Sequence, residues 1–217
     1  MKTYNNLFDK ICTYKNFQKA YDNATKGKKY YKEVKKIERY RNKYISNLLK
    51  EVKNGTYKVS KYIDFKLWSG HKWRDISKLP MKDRIVQHAV MIYCESIFRE
   101  SFIIDTFSSI KGRGIHRGLE RVKKAVKDKN IKYVLEFDVH KCYPSLDQNL
   151  LKEKLTKKFK DEKLLNLFYT IIDSKDKGVP IGNYTSQYFN NFYFNELDHI
   201  IKEKFNIKYY FRYCDDG

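Results

Sequence analysis

The sequence predicts an α+β fold, helix-rich with a small antiparallel sheet. Two observations carry this. Short apolar and aromatic stretches at Tyr133–Asp138 and Ile207–Tyr213 read as strands, and each runs into carboxylates. Between and before them lie longer segments with apolar residues at helical spacing. If the two acid-bearing strands are neighbours, residues far apart in the chain share one small site.

The elements follow in order. Residues 1–55 read as a basic, mostly helical extension, closed by the turn signal Asn54-Gly55. From Thr56 to Leu79 the pattern shortens, with Tyr57, Val59, Tyr62, Ile63, Phe65, Leu67 and Trp68 marking strands and Ser69-Gly70 a turn. After Pro80, a helix places Ile85, Val86, Ala89, Val90, Ile92, Tyr93, Ile97 and Phe98 mainly on one face. Lys111-Gly112-Arg113-Gly114 is a glycine-interrupted basic loop, followed by a helix over His116–Lys127. Tyr133–Asp138 reads as a buried strand. Asp147 is placed to cap a helix running toward Phe159. Further helices cover Lys163–Ile172 and Thr185–Lys204, separated by the break Gly178–Gly182.

The chain carries 46 Lys plus Arg against 26 Asp plus Glu, a formal charge of +20, which suits a polyanionic partner. A Lys-, Asn-, Ile- and Tyr-rich composition from AT-biased codons accounts for the same excess. Cys12, Cys94, Cys142 and Cys214 share no metal-binding spacing, so neither a zinc site nor a disulfide framework is expected. No apolar run is long enough to span a bilayer, and the amino terminus lacks a signal-peptide pattern. A cytoplasmic protein with reduced thiols and no membrane partner is the expectation.

The acids carry the chemistry. Nucleotidyl transfer needs charge neutralisation, which two Mg²⁺ ions about 3.5–4 Å apart supply. Such hard cations take oxygen ligands. Asp138 and Asp215 are the expected metal ligands, with Asp216 beside them. Asp-Asp-Gly alone is an ordinary turn sequence; the second strand-ending acid upstream makes the difference.

At these residues a family resemblance enters. Tyr213-Cys214-Asp215-Asp216 resembles the Tyr-x-Asp-Asp motif of reverse transcriptases. Leu135–Asp147 looks like the family's first catalytic block. Lys82–Ala89 resembles the finger helix of bacterial members, and Lys111–Gly114 the basic fingertip that meets the triphosphate. The blocks keep the family's order from about residue 75 onward. Ile181-Gly182 with Ser186-Gln187 is similar to the reverse transcriptases of diversity-generating retroelements, where related enzymes usually carry Gln-Gly and Ser-Pro.

The resemblance implies right-hand polymerase fingers (56–130) and a partial palm (131–217). It implies an RNA template, a DNA or RNA primer, dNTPs, two Mg²⁺ ions, and often a small basic accessory protein. Tyr143 would lie at the sugar and exclude a 2′-hydroxyl; a core aromatic is its plain alternative. Lys111 and Arg113 would meet the β- and γ-phosphates, although a solvated basic loop would look the same in isolation. Arg84 would contact template or close a structural ion pair. Gly182 and Gln187 would flank the nascent base pair. Tyr30, Tyr31, Tyr40 and Tyr44, interleaved with Lys and Arg, would stack on RNA bases or pack helices on the fingers.

Family members continue past this motif into a second hairpin strand and a thumb. The expectation is therefore a thumbless fragment, a contig end or one piece of a split enzyme, with weak primer-template binding alone. Competing readings are a phage-defence reverse transcriptase, an RNA-templated RNA polymerase, which Tyr143 disfavours, and a non-catalytic nucleic-acid-binding fragment, for which acids near phosphates bring no gain.

Overall fold

A computed structural model describes residues 2–217. The amino-terminal quarter forms four helices: α1 (Phe8–Ile11), α2 (Tyr14–Thr25), α3 (Lys32–Glu38) and α4 (Arg41–Lys53). Strands β1 (Ile63–Ser69) and β2 (Lys72–Lys78) make an antiparallel hairpin in which Ser69 pairs with Lys72. The turn uses Gly70 at φ +65°, a conformation that favours glycine. The strand region expected over Thr56–Leu79 narrows to these two segments, because Tyr57 is drawn into the core instead.

The long helix α5 (Met81–Ser101) organises the core. Ile85, Val86, Ala89, Val90, Ile97 and Phe98 are buried on it, as the spacing predicts, with Ile92 and Tyr93 partly buried. Phe98 sits among Phe159, Phe168, Tyr188, Phe189 and Phe192 at ring separations of 5.2–6.3 Å. Most of these pairs are tilted or edge-on, the favourable geometry for aromatic quadrupoles. On the opposite side α2 packs along α5 through Phe17, Ala20, Tyr21 and Ala24. The buried Asn16 amide ties them by donating to the carbonyls of Ile11 and Ala89. Of the basic amino-terminal helices, α1 and α2 pack on α5, α4 on α2 and α3 on α4, with Tyr30 and Tyr40 exposed.

Beyond α5 come β3 (Thr106–Phe107), α6 (Ile115–Val126), the single turn α7 (Cys142–Ser145), α8 (Gln148–Lys158), α9 (Glu162–Ile172) and α10 (Tyr184–His199). The helix expected to reach Lys204 does so, but its last turn, Ile200–Lys204, is a π-helix. Asp147 caps α8, accepting from the amides of Asn149 and Leu150 at 2.8 and 3.0 Å. Asp161 caps two helices with one carboxylate: Oδ2 accepts from Leu7 and Phe8 at 2.8 Å each, and Oδ1 from Leu164 at 3.2 Å. Gln87 does similar work between elements, its Oε1 accepting from the Tyr184 amide at 2.8 Å at the start of α10.

Two expected strands are corrected. Tyr133–Asp138 is not a buried strand. Residues 131–137 have no regular structure, and Tyr133, Val134 and Leu135 are more than 80% exposed. A strand exists only where a neighbour takes its backbone bonds, and here only Phe137–Val139 finds one. The strand expected over Ile207–Tyr213 shrinks to β4 (Arg212–Tyr213), which pairs parallel with β3. No helix among the described residues is long and apolar enough to cross a membrane.

Candidate active site

The two acid-bearing segments meet. Phe137 and Gly217 exchange both backbone hydrogen bonds at 2.9 Å, and the Val139 amide donates to Asp215 O at 3.2 Å. Asp138 and Asp216 are therefore directly opposed in an antiparallel bridge. Between such hydrogen-bonded rungs lies the pair whose side chains approach most closely on one face. The Phe137 ring lies over Gly217, so a Cβ there would meet the ring at 2.1 Å and the ring would have to shift.

Asp215 sits at the tip of a tight reversal. Tyr213 and Asp216 exchange backbone bonds at 2.8 and 3.1 Å, leaving Cys214 and Asp215 as the two central residues. Cys214 adopts φ +61°, an uncommon conformation for a residue with a side chain. The carboxyl of Asp216 is raised above the usual carboxylate range, by desolvation first and then by the charges of Asp215 and Asp138. Asp216 thus feels the charges of both other acids. One or two carboxylates with phosphate oxygens are the donor set Mg²⁺ usually takes, and Asp138 and Asp215 fit it in their chemistry. Among the described residues no group of three or more His, Cys, Asp or Glu is arranged to hold a metal ion.

Tyr143 joins the site through the turn. Its hydroxyl lies 3.4 Å from Cys214 Sγ, and its ring packs against the core. Burial first, then Cys214, pushes its phenol well above the usual range. Cys142 Sγ reaches Asn190 Oδ1 at 2.9 Å, while Asn190 Nδ2 lies 3.6 Å from Cys214 Sγ. All four cysteines are free.

The other expected site residues lie on several separate elements. Gly182, at φ +117°, lies against the hairpin: a Cβ there would stand 2.7 Å from Ser77 O. Ser77 N also donates to Ile181 O at 3.0 Å. Gln187 is exposed on the first turns of α10, and Lys111 is exposed on its loop. Arg113 turns inward and donates to Ile103 O at 2.7 Å; burial, then Arg117 and Arg99, lowers its pKa. Arg84 donates to Leu79 O at 3.1 Å rather than to an acid, whereas Lys82 pairs with Glu51 at 2.7 Å.

One pair escaped the sequence reading. Arg212 and Asp198 are both buried and form a two-pronged ion pair, Nε–Oδ1 2.8 Å and Nη2–Oδ2 2.6 Å. The signal was present in Arg212 itself, a cation inside an aromatic strand, which must find an acid if buried.

A helical scaffold that brings acids from two distant segments side by side is consistent with the fingers and palm of a nucleic-acid polymerase. Residues 64–217 match the family described as reverse transcriptase (RNA-dependent DNA polymerase), and the chain belongs to that family. It is similar to the group II intron-encoded protein LtrA of Lactococcus lactis subsp. cremoris, 25% identical over 171 residues, which is 72% of this chain and 28% of that protein. It is also similar to the putative COX1/OXI3 intron 2 protein of Saccharomyces cerevisiae, 23% identical over 179 residues, covering 75% of this chain and 20% of that one. A third relative is Protein YkfC of Escherichia coli, 23% identical over 150 residues, covering 63% and 39%. The chain spans between 20% and 39% of the length of these relatives.

Proposed function

We propose that this chain carries the catalytic acids of an RNA-directed DNA polymerase that adds dNTPs to a primer 3′-hydroxyl on an RNA template. The observation that supports it most is the bridge opposing Asp138 to Asp216, with Asp215 at the adjoining tip. Asp138 and Asp215 would hold two Mg²⁺ ions, and Asp216 would set the charge beside them. Those ions, when bound, supply activation of the 3′-hydroxyl and neutralisation of the leaving pyrophosphate. Tyr143, fixed against Cys214, would close the space a 2′-hydroxyl needs. Lys111 and Arg113 would meet the triphosphate, which requires Arg113 to release the Ile103 carbonyl. Arg84 would steady the template side.

The lineage reading within the family rests on Ile181-Gly182 and Ser186-Gln187, the pattern of diversity-generating retroelements. Gly182 and Gln187 would then border the templating base, with a small basic protein as accessory partner.

Primer extension on an RNA template with dNTPs and Mg²⁺ tests the activity. Extension abolished by Asp138→Asn and by Asp215→Ala is the expected result. Extension that survives both would place the chemistry elsewhere. The lineage is tested by the error spectrum at template adenines, which Gln187→Pro should change.

A further inference from the structure

The acidic turn is short, has one residue in the left-handed region, and carries two acids opposite a third. Its own Tyr213–Asp216 bonds close the reversal but leave the Cys214 carbonyl to find another partner. Arg212 supplies what is missing. Its guanidinium is 2% exposed and has two sets of partners. On one side it grips Asp198, in the last turn of α10, through Nε and Nη2. On the other, Nη1 donates to Cys214 O at 2.6 Å. That carbonyl belongs to the peptide joining Cys214 to Asp215, at the tip of the turn. Further contacts run to Asn191 on α10, from Nη1 to Oδ1 at 3.2 Å and from Nη2 to O at 3.3 Å. Asp198 is itself fixed by Thr106 Oγ1 at 2.9 Å and the Tyr210 hydroxyl at 2.7 Å. The acid and the cation therefore satisfy each other and leave one guanidinium N–H directed at the turn.

We propose that Arg212, anchored by Asp198, is a positioning residue that locks the Cys214–Asp215 peptide and so aims the turn's carboxylates at Asp138. This rests on the assignment of the acids as a metal site. A planar fork is needed because one side chain must bond a carboxylate in two places and a carbonyl in a third. Lysine keeps the charge and loses that geometry. The residue touches no substrate; it acts through the turn.

The test combines amide hydrogen exchange with Mn²⁺ titration followed by electron paramagnetic resonance. The variants are Arg212→Lys, Asp198→Asn, the apolar pair Arg212→Met with Asp198→Leu, and Asp215→Ala. The apolar pair covers the case in which a single change unfolds the chain, since buried ion pairs are often replaceable by apolar residues without loss of stability. Amides of Val139, Asp216 and Gly217, bonded across the turn, should lose protection in the Arg212 and Asp198 variants while α5 keeps its own. Mn²⁺ affinity should fall about tenfold or more, as expected when a residue that orients ligands is removed. Unchanged protection of the three amides in Arg212→Lys and the apolar pair overturns the proposal. Lost protection with Mn²⁺ binding indifferent to Asp215→Ala supports the lock and overturns the metal assignment instead.

Discussion

Tyr143 and Gly178 are locked backbone to backbone: a methyl group on Gly178 would stand 2.2 Å from the Tyr143 carbonyl oxygen, and Val179 N donates to that same oxygen at 2.9 Å. The break before α10 thereby sets the height of the ring beside the acidic turn. Gly178 is also at φ +62°. Gly178→Ala should therefore destabilise the chain by about 1–3 kcal/mol, through the strained φ and the displaced carbonyl. Urea unfolding measures this, and an unchanged midpoint would contradict the contact.

The ring itself is the second object of prediction. With Tyr143→Ala, discrimination against ribonucleotides should fall about tenfold or more, the scale on which a filled pocket rejects an extra group. The ratio of kcat/KM for dNTP and rNTP reports it. Equal ratios in both proteins would return Tyr143 to the role of a core aromatic.

His88 stacks on Tyr184 at 4.5 Å where α5 meets α10. Burial, then Lys28 and Arg84, lowers its pKa to about 4. A histidine whose folded pKa lies below its unfolded one favours folding when neutral. Its contribution is complete above the unfolded value near 6.5 and is lost as pH falls from there toward about 4. Thermal midpoints should drop across that window, and the drop should shrink in His88→Gln. An identical pH profile in the variant would refute the assignment.

Asp161 caps two helix starts from one buried carboxylate. Asp161→Ala leaves three amides without a partner and should cost about 2–4 kcal/mol, the sum of two lost caps and a desolvation penalty. Asp161→Asn keeps an acceptor and should cost less. Equal losses in the two variants would mean that charge, not capping, is the source.

Some local signals read correctly from the sequence, and distant ones did not. Asp147 needs only the two amides that follow it, so its cap was visible in the chain order. The α5 face was visible because one helix presents it. Asp138 and Asp215 stood out as acids closing apolar stretches. The partners of Asp161 and Gln87 lie about 150 and 97 positions away in the chain, beyond any periodic signal. Tyr133–Leu135 misled for a related reason: an apolar run states that burial is favourable, not that a neighbouring strand is there to provide it. Arg212 announced a need for an acid without saying which of 26 would answer.

The double cap at Asp161 also sets an order of events. Leu7 and Phe8 wait for a carboxylate more than 150 residues later, and Tyr4 is bridged to Phe159 just before it. During synthesis the amides of Leu7 and Phe8 cannot be capped until Asp161 has been made. Contacts of such separation slow folding and leave apolar helices uncovered meanwhile. The basic residues crowding those early helices would, during that interval, keep nascent chains apart by mutual repulsion.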